Sequence, residues 1–262
     1  MTEFQTITFE QTGVIARITL NRPDAANGMN GTMTRELAVA AARCDSPATK
    51  VVVITGAGRF FCAGGDLKDF ASAPSRGHHI KGVADDLHRA ISTLARMDAV
   101  VITAVNGTAA GAGFSLAVAG DLVLAAESAS FTMAYTRVGL SPDGGASYHL
   151  PRLIGTAKTK QLMLANRTLS AQEASQWGLV GEVVADDQLR VRADELAEQM
   201  AQTSAGSNGA VKALLLDTFG NGLEQQMELE GRTIAARADS ADGREGVDAF
   251  LSKRKAEFGP RG

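Results

Sequence analysis

Val51-Val52-Val53-Ile54-Thr55-Gly56, with Phe61-Cys62-Ala63-Gly64-Gly65-Asp66-Leu67 close behind, reads as a buried strand running through a glycine turn into a helix. The chain does this a second time: Val100-Val101-Ile102-Thr103-Ala104-Val105 precedes Asn106-Gly107-Thr108-Ala109-Ala110-Gly111-Ala112-Gly113-Phe114. Neither apolar run alternates with polar residues, as expected of strands covered on both faces. Each turn leaves N–H groups unbonded at a helix start, where the helix dipole favours negative charge. Two such turns aimed at one point would hold a developing oxyanion between the N–H groups of Gly65 and Ala112. Taken singly, each turn is better explained by tight packing of strand on helix, which also selects glycine. Gly56-Ala57-Gly58 does not extend to a dinucleotide-binding fingerprint.

Outward from these passages, residues 4–20 read as two strands joined at Gln11-Thr12-Gly13, with Val14, Ala16, Ile18 and Leu20 alternating with polar positions. An Ala- and Leu-rich helix follows from Thr32 to Cys44. Residues 71–82, which include Pro74, Gly77 and His78-His79, read as a loop. A helix from Val83 to Met97 then puts Leu87, Ile91 and Leu94 on one face. Strands at residues 121–125 and 131–133 continue the alternation of strand and helix between residues 50 and 135, which predicts an α/β core. Beyond Ser147 the chain is mostly helical, with candidates at 172–177, 187–203, 205–218, 223–238 and 241–250.

A length of 262 residues suits one large domain or a domain with an appended subdomain. Hydrophobic residues make up 45% and charged residues 21%, which argues against disorder. The net charge of −3 supplies no global field for nucleic acid, so an anionic ligand must be met by local Lys, Arg or backbone N–H groups. Cys44 and Cys62 form neither a disulfide framework nor a zinc pattern, and they suit a reducing cytoplasm. His78, His79 and His149 have no metal-ligand spacing. Met1-Thr2-Glu3-Phe4-Gln5 lacks the basic start and apolar stretch of a signal peptide. The charge-free stretch from Ala99 to Gly120 is interrupted by Asn106, Thr108 and glycines, so it reads as strand, turn and helix instead of a membrane span.

Leu140-Ser141-Pro142-Asp143-Gly144-Gly145 presents one carboxylate in a constrained loop. Such an aspartate is often a plain turn or cap residue. Beside an oxyanion site it has a specific use, moving a proton to and from carbon next to a thioester. His88 stands at the edge of the apolar face of its helix, where a partly exposed structural histidine is the simpler expectation. Tyr135 either orients Asp143 or packs. Gly113-Phe114-Ser115-Leu116-Ala117 departs from the GxSxG nucleophile elbow at its last position, and no late histidine completes a hydrolase triad.

These pieces together resemble the crotonase, or enoyl-CoA hydratase/isomerase, superfamily. The resemblance is carried by Asn21-Arg22-Pro23-Asp24-Ala25-Ala26-Asn27, by the two glycine passages, and by Asp121-Leu122-Val123-Leu124-Ala125. It continues through Gly139–Gly155, Leu169-Ser170-Ala171 and Trp177-Gly178-Leu179-Val180, and so covers nearly the whole chain. It implies a spiral of ββα repeats over residues 1–200, holding the CoA site, and a helical trimerisation region over residues 201–262, assembled as a homotrimer or a dimer of trimers. It implies an acyl-CoA thioester substrate, with no separate cofactor because coenzyme A is part of that substrate. The thioester oxygen would sit between the Gly65 and Ala112 N–H groups. Ala25, Ala26, Ala63, Gly64, Asp66 and Leu67 fall where the family contacts CoA, and Arg22 is a candidate for phosphate contact.

Hydratases of this family use two glutamates, and those positions hold Ser115 and Tyr135 here. Asp143 falls where family isomerases place a single acid. The stretches around Asp143 and Ala112, with Arg244-Glu245-Gly246-Val247-Asp248-Ala249-Phe250-Leu251, look most like the phenylacetate-pathway isomerase group. The resemblance therefore implies an isomerase that shifts a double bond from 3-enoyl- to 2-enoyl-CoA, or rearranges a ring epoxide, through a thioester enolate. The alternatives are a hydratase-type lyase, a non-catalytic acyl-CoA-binding protein and a 4-chlorobenzoyl-CoA-type dehalogenase. The dehalogenases resemble this chain at Asp143, at His88 and at Ala165-Asn166-Arg167-Thr168-Leu169, but have aromatics where it has Ala84, Asp85 and Asp86, and phenylalanine where it has Gly65.

Overall fold

Two sheets wind along the chain as a spiral in the computed structural model, which describes residues 4–259. Met1–Glu3, part of the start read as lacking a signal peptide, and Pro260–Gly262, the end of the expected C-terminal region, lie outside the described residues. The elements are β1 (Ile7–Thr12), β2 (Ile15–Leu20), α1 (Gly31–Cys44), β3 (Val51–Gly56), β4 (Phe60–Cys62), α2 (Leu67–Ser72), α3 (Arg76–Arg96), β5 (Val100–Val105), β6 (Thr108–Ala110) and α4 (Ala112–Val118). They continue as β7 (Leu122–Ala126), β8 (Ser130–Thr132), α5 (Ala146–Ala165), β9 (Leu169–Ser170), α6 (Ala171–Gln176), β10 (Glu182–Val184), α7 (Leu189–Ala201), α8 (Ala205–Asp217), α9 (Leu223–Ala238) and α10 (Ala241–Leu251).

One sheet has the order β1-β2-β3-β5-β7-β10 and the other β4-β6-β8-β9. Each of the pairs β3–β4, β5–β6 and β7–β8 places its first strand in the large sheet and its second in the small one. That is the crotonase-like ββα repeat. In the large sheet Ile18, Ile54, Thr103 and Val123 stand in one row across β2, β3, β5 and β7. Val52 and Ile54 face the main core with Phe61, Phe114 and Phe131, while Val51 and Val53 face Leu189, Ala193 and Ala197 of α7. Both faces of β3 are therefore dry, which is why its sequence does not alternate. The stretch read against a membrane span is β5, a turn, the short strand β6 and α4, and no described helix is long and apolar enough to cross a membrane.

The expected loop at residues 71–82 is a correction: α2 runs to Ser72 and α3 begins at Arg76, seven residues before the sequence suggested. Gly77, Gly82 and two histidines each lower helix propensity. Tertiary contacts override it. His79 Nε2 lies 2.6 Å from Asp69 Oδ2 on α2, and Ile80 turns into the cavity described below. The short strands β4, β6, β9 and β10 are not anticipated by the sequence, because two or three residues carry no readable period.

The fold sets up the site through one pairing. β4 and β6 are parallel neighbours, so the turns that follow them, at Gly64-Gly65 and at Gly111-Ala112, emerge side by side. The helical region at the C-terminal end is fastened by Lys212 of α8. Its ammonium donates to the carbonyls of Leu94 (2.9 Å) and Ala99 (2.8 Å) and pairs with Asp121 Oδ2 at 2.8 Å.

Candidate active site

Gly64 has φ +97°, a conformation that glycine tolerates and that side chains rarely adopt. A Cβ there would stand 2.9 Å from the Ala110 carbonyl oxygen and 3.5 Å from the Ala112 nitrogen, so the two turns touch with no room for a side chain. The strip Gly28–Met29 locks the first turn. Met29 N–H donates to Gly64 O (2.7 Å), Asp66 N–H donates to Met29 O (2.9 Å) and Ala63 N–H donates to Ala26 O (3.0 Å). Between these bonds the Gly65 N–H has no protein acceptor among the described residues, and neither has the Ala112 N–H at the first position of α4. Both turns thus offer a free donor at adjoining places, as the oxyanion reading requires.

Two asparagines, one buried and one half-buried, support this arrangement. Asn27, fully buried with φ +54°, donates through Nδ2 to Ala57 O (2.9 Å) and Phe60 O (2.8 Å) and accepts from the Arg22 N–H at 2.9 Å. Asn106 accepts from Gly56 N–H (3.0 Å) and donates to Gly58 O (2.9 Å). The asparagine of each sequence motif therefore pins the same β3–β4 connection, a role that motif spacing alone does not disclose.

A cavity of about 360 Å3 opens between the turns and α3. Ala63, Gly64, Gly65, Leu67, Ala112, Tyr135 and Asp143 line it, together with apolar walls from Met29, Phe70, Ile80, Leu87, Val138 and Leu140. The walls were not identified individually from sequence, since apolar residues carry no distinguishing signal. Among the lining residues Asp143 is the one carboxylate and Lys81 the one cation.

Asp143 is held from three sides. The Tyr135 hydroxyl donates to Asp143 Oδ1 at 2.5 Å, so Tyr135 orients the carboxylate as well as packing. Burial and the adjacent carboxylate hold the Tyr135 phenol well above its ordinary pKa, so it remains a neutral donor. Ser115 Oγ donates to the Asp143 backbone carbonyl at 2.9 Å and lies 3.3 Å from Tyr135 Oη. The sequence marks Ser115 only as a departure from a nucleophile elbow and as the replacement of a hydratase acid; a buried hydroxyl in an apolar helix needs a partner, and that is the signal for its supporting role. On the far side, Gly144 N–H donates to His88 Nε2 at 3.0 Å. His88 does not line the cavity; it braces the loop behind Asp143. Gly144 has φ +61°, and a Cβ there would stand 2.7 Å from the Ser115 Cβ.

The remaining sequence candidates lie along one rim. Ala25 and Ala26 close a single 3-10 turn next to Ala63, and Ala25, Ala63 and Leu67 are exposed. Asp66 caps α2, its Oδ1 accepting from the N–H groups of Lys68 (3.1 Å) and Asp69 (3.2 Å). Arg22 pairs with Asp66 Oδ2 at 2.9 Å. Among the described residues there is no cluster of three or more His, Cys, Asp or Glu side chains able to hold a metal ion.

Comparison with known proteins groups the chain with enzymes of the enoyl-CoA hydratase/isomerase family. The family model described as Enoyl-CoA hydratase/isomerase matches residues 10–261. The 1,2-epoxyphenylacetyl-CoA isomerase of Escherichia coli (strain K12) is 40% identical over 250 residues, covering 93% of this chain and 94% of that protein. A 4-chlorobenzoyl coenzyme A dehalogenase from Arthrobacter is 31% identical over 250 residues, covering 94% and 91%. The crystal structure of an enoyl-CoA hydratase from Bacillus anthracis superimposes with a TM-score of 0.92 at 31% identity, covering 98% of this chain and all of that one (100%).

Proposed function

We propose, from the premise that the chain belongs to the enoyl-CoA hydratase/isomerase family, that it is an acyl-CoA isomerase working through a thioester enolate. The observation that carries this reading is that Asp143 is the single carboxylate lining the cavity, with Ser115 and Tyr135 turned to its support. Hydration would ask for a second acid to hold water, and Tyr135 fills that place with a phenol bonded to Asp143.

In the simplest case the substrate is a 3-enoyl-CoA. Asp143 removes a proton from C2, the C2–H electron pair moves into a dienolate, and the thioester oxygen takes the negative charge. The Gly65 and Ala112 N–H groups meet that charge, each donor supplying about 3–4 kcal/mol of transition-state stabilisation. Asp143 then returns the proton at C4, giving the 2-enoyl-CoA with no atom gained or lost. The same carboxylate and donors suit rearrangement of a ring epoxide beside a thioester, the activity named for the Escherichia coli relative. The ring clamp of a dehalogenase is incomplete, since Ala84 lines the cavity where those enzymes carry an aromatic.

Assembly belongs to the same proposal. Residues 201–262 would form the trimerisation region, supported by the apolar surface that Phe219, Leu223, Met227, Ile234, Phe250 and Leu251 leave exposed. A cytoplasmic location agrees with two buried free cysteines, Cys44 and Cys62. An activity screen with aliphatic 3-enoyl-CoA, 2-enoyl-CoA and 4-chlorobenzoyl-CoA tests the reaction. Turnover of the first supports it, while hydration of the second at the faster rate contradicts it.

A further inference from the structure

We propose that Arg22 is a positioning residue for the Gly65 N–H, acting through Asp66 and Gly28, and is not a ligand of the CoA phosphates. The inference rests on the oxyanion role given to Gly65 above.

Its basis is where the guanidinium spends its donors. One amino group donates to Asp66 Oδ2 at 2.9 Å, and the other donates to the Gly28 carbonyl. These acceptors sit on the two segments that grip the Gly65 peptide. Gly28 precedes Met29, whose backbone bonds Gly64 O and Asp66 N on either side of Gly65. Asp66 meanwhile starts α2. The guanidinium is a planar fork with fixed donor directions, so it sets the spacing between both segments at once; an ammonium is a point charge and cannot.

The pair is shielded, with side-chain exposures of 22% for Arg22 and 14% for Asp66. Burial alone would raise the Asp66 carboxyl, but the Asp69 N–H and the Arg22 bond more than offset it and hold the group below its ordinary value. Two of its five N–H donors are engaged in this way, and a phosphate reaching for the others would also approach the Asp66 carboxylate. The Arg22 charge is thus already paired with a carboxylate before any ligand arrives. Oxyanion donors work within a narrow range, roughly 2.7–3.1 Å from the developing charge. A shift of a few tenths of an ångström in the Gly28–Met29 strip therefore reaches the reaction through Gly65.

The test uses Arg22→Met, Arg22→Lys, Asp66→Asn and the Arg22→Met/Asp66→Asn double variant in the full chain. Asp66→Asn keeps an oxygen to cap α2 and so guards against a failure of Arg22→Met to fold. Two readouts are taken. One is the absorption of a bound, unreactive aryl-conjugated enoyl-CoA, whose red shift reports polarisation of the thioester carbonyl. The other is the split between kcat and KM for a 3-enoyl-CoA and for the matching 3-enoyl-pantetheine thioester, which has no phosphates. The expected result is loss of most of the red shift and a fall in kcat of roughly 10- to 100-fold in Arg22→Met and in Asp66→Asn. The double variant is then no worse than either single one, as for residues acting as a unit. The ratio of KM for the CoA and pantetheine thioesters stays at the wild-type value. A full red shift and unchanged kcat, with KM raised for the CoA thioester alone, would overturn the proposal and make Arg22 a phosphate ligand. If the wild type polarises the chromophore but turns over no acyl-CoA in the screen, the isomerase reading falls. Loss of the red shift in Arg22→Met then still supports the positioning role.

Discussion

The Tyr135 hydroxyl donates to Asp143 Oδ1 at 2.5 Å, and that bond assigns the two carboxylate oxygens different work. Oδ1 is engaged by the phenol, which leaves Oδ2 as the oxygen available to carbon. Tyr135→Phe keeps the ring against the cavity but removes the donor. Its kcat for a 3-enoyl-CoA should fall roughly 10- to 100-fold, the scale expected when a reacting group loses its orientation. Binding of the acyl-CoA should stay near wild type. An unchanged kcat would return Tyr135 to packing alone.

His88 braces Asp143 at one remove, by accepting from the Gly144 N–H with Nε2 at 3.0 Å. His88→Ala leaves that N–H without its acceptor and loosens the loop, so kcat should drop about 10-fold, close to the 1–1.5 kcal/mol of an ordinary hydrogen bond. His88→Gln carries a side-chain oxygen able to accept and should recover part of the loss. Equal rates in His88→Ala and wild type, or a His88→Gln variant no better than His88→Ala, would remove the bracing role.

Lys212 should matter to stability more than to chemistry. It is 9% exposed and satisfies two carbonyls and the Asp121 carboxylate, itself pushed up by burial. Lys212→Met leaves those acceptors facing a methyl group, and removing one partner of a buried pair costs about 3–5 kcal/mol. Urea unfolding measures this directly. A loss under about 1 kcal/mol would mean that water replaces the ammonium.

The Asp66 carboxyl offers a pH test. Its native pKa lies below the ordinary 3.8, because the Asp69 N–H and Arg22 outweigh the effect of burial. A depressed native pKa stabilises the folded state at neutral pH, and that stabilisation is lost as the pH falls through the native value. The stability gap between wild type and Asp66→Asn should therefore be full at neutral pH. It should narrow once the pH drops to about 4 and close further below. A gap independent of pH would place the effect of Asp66 in its cap geometry alone.

Much of this was legible in the chain, and the limits have physical causes. The two apolar runs at Val51 and Val100 identify themselves as doubly covered strands, and the glycines behind them mark the turns, because β-branched runs and tight turns each have a local chemistry. The resemblance across the whole chain then implies that the two turns, ambiguous singly, serve one site, and the structure sets them side by side. What stayed hidden depends on distant partners. The sequence shows Ser115 as a serine without a triad at the place of a hydratase acid, and its hydroxyl bonds the Asp143 carbonyl, twenty-eight positions away. Arg22 is a candidate phosphate contact by the resemblance alone, and its bonds to Gly28 and Asp66, six and forty-four positions away, are not legible from the motif. Residues 71–82 looked like a loop because propensity there is poor, and helix α3 forms through contacts such as His79 with Asp69 that no local window contains.

The central claim is that Asp143 moves the proton, and the rate of 3-enoyl-CoA isomerisation by wild type and Asp143→Asn tests it most directly. The amide preserves shape and can still accept from Tyr135, but it cannot take a proton from carbon. Turnover should fall by roughly 10²- to 10⁴-fold, the usual contribution of a positioned base, with acyl-CoA affinity retained. An Asp143→Asn variant that isomerises 3-enoyl-CoA at the wild-type rate would contradict it.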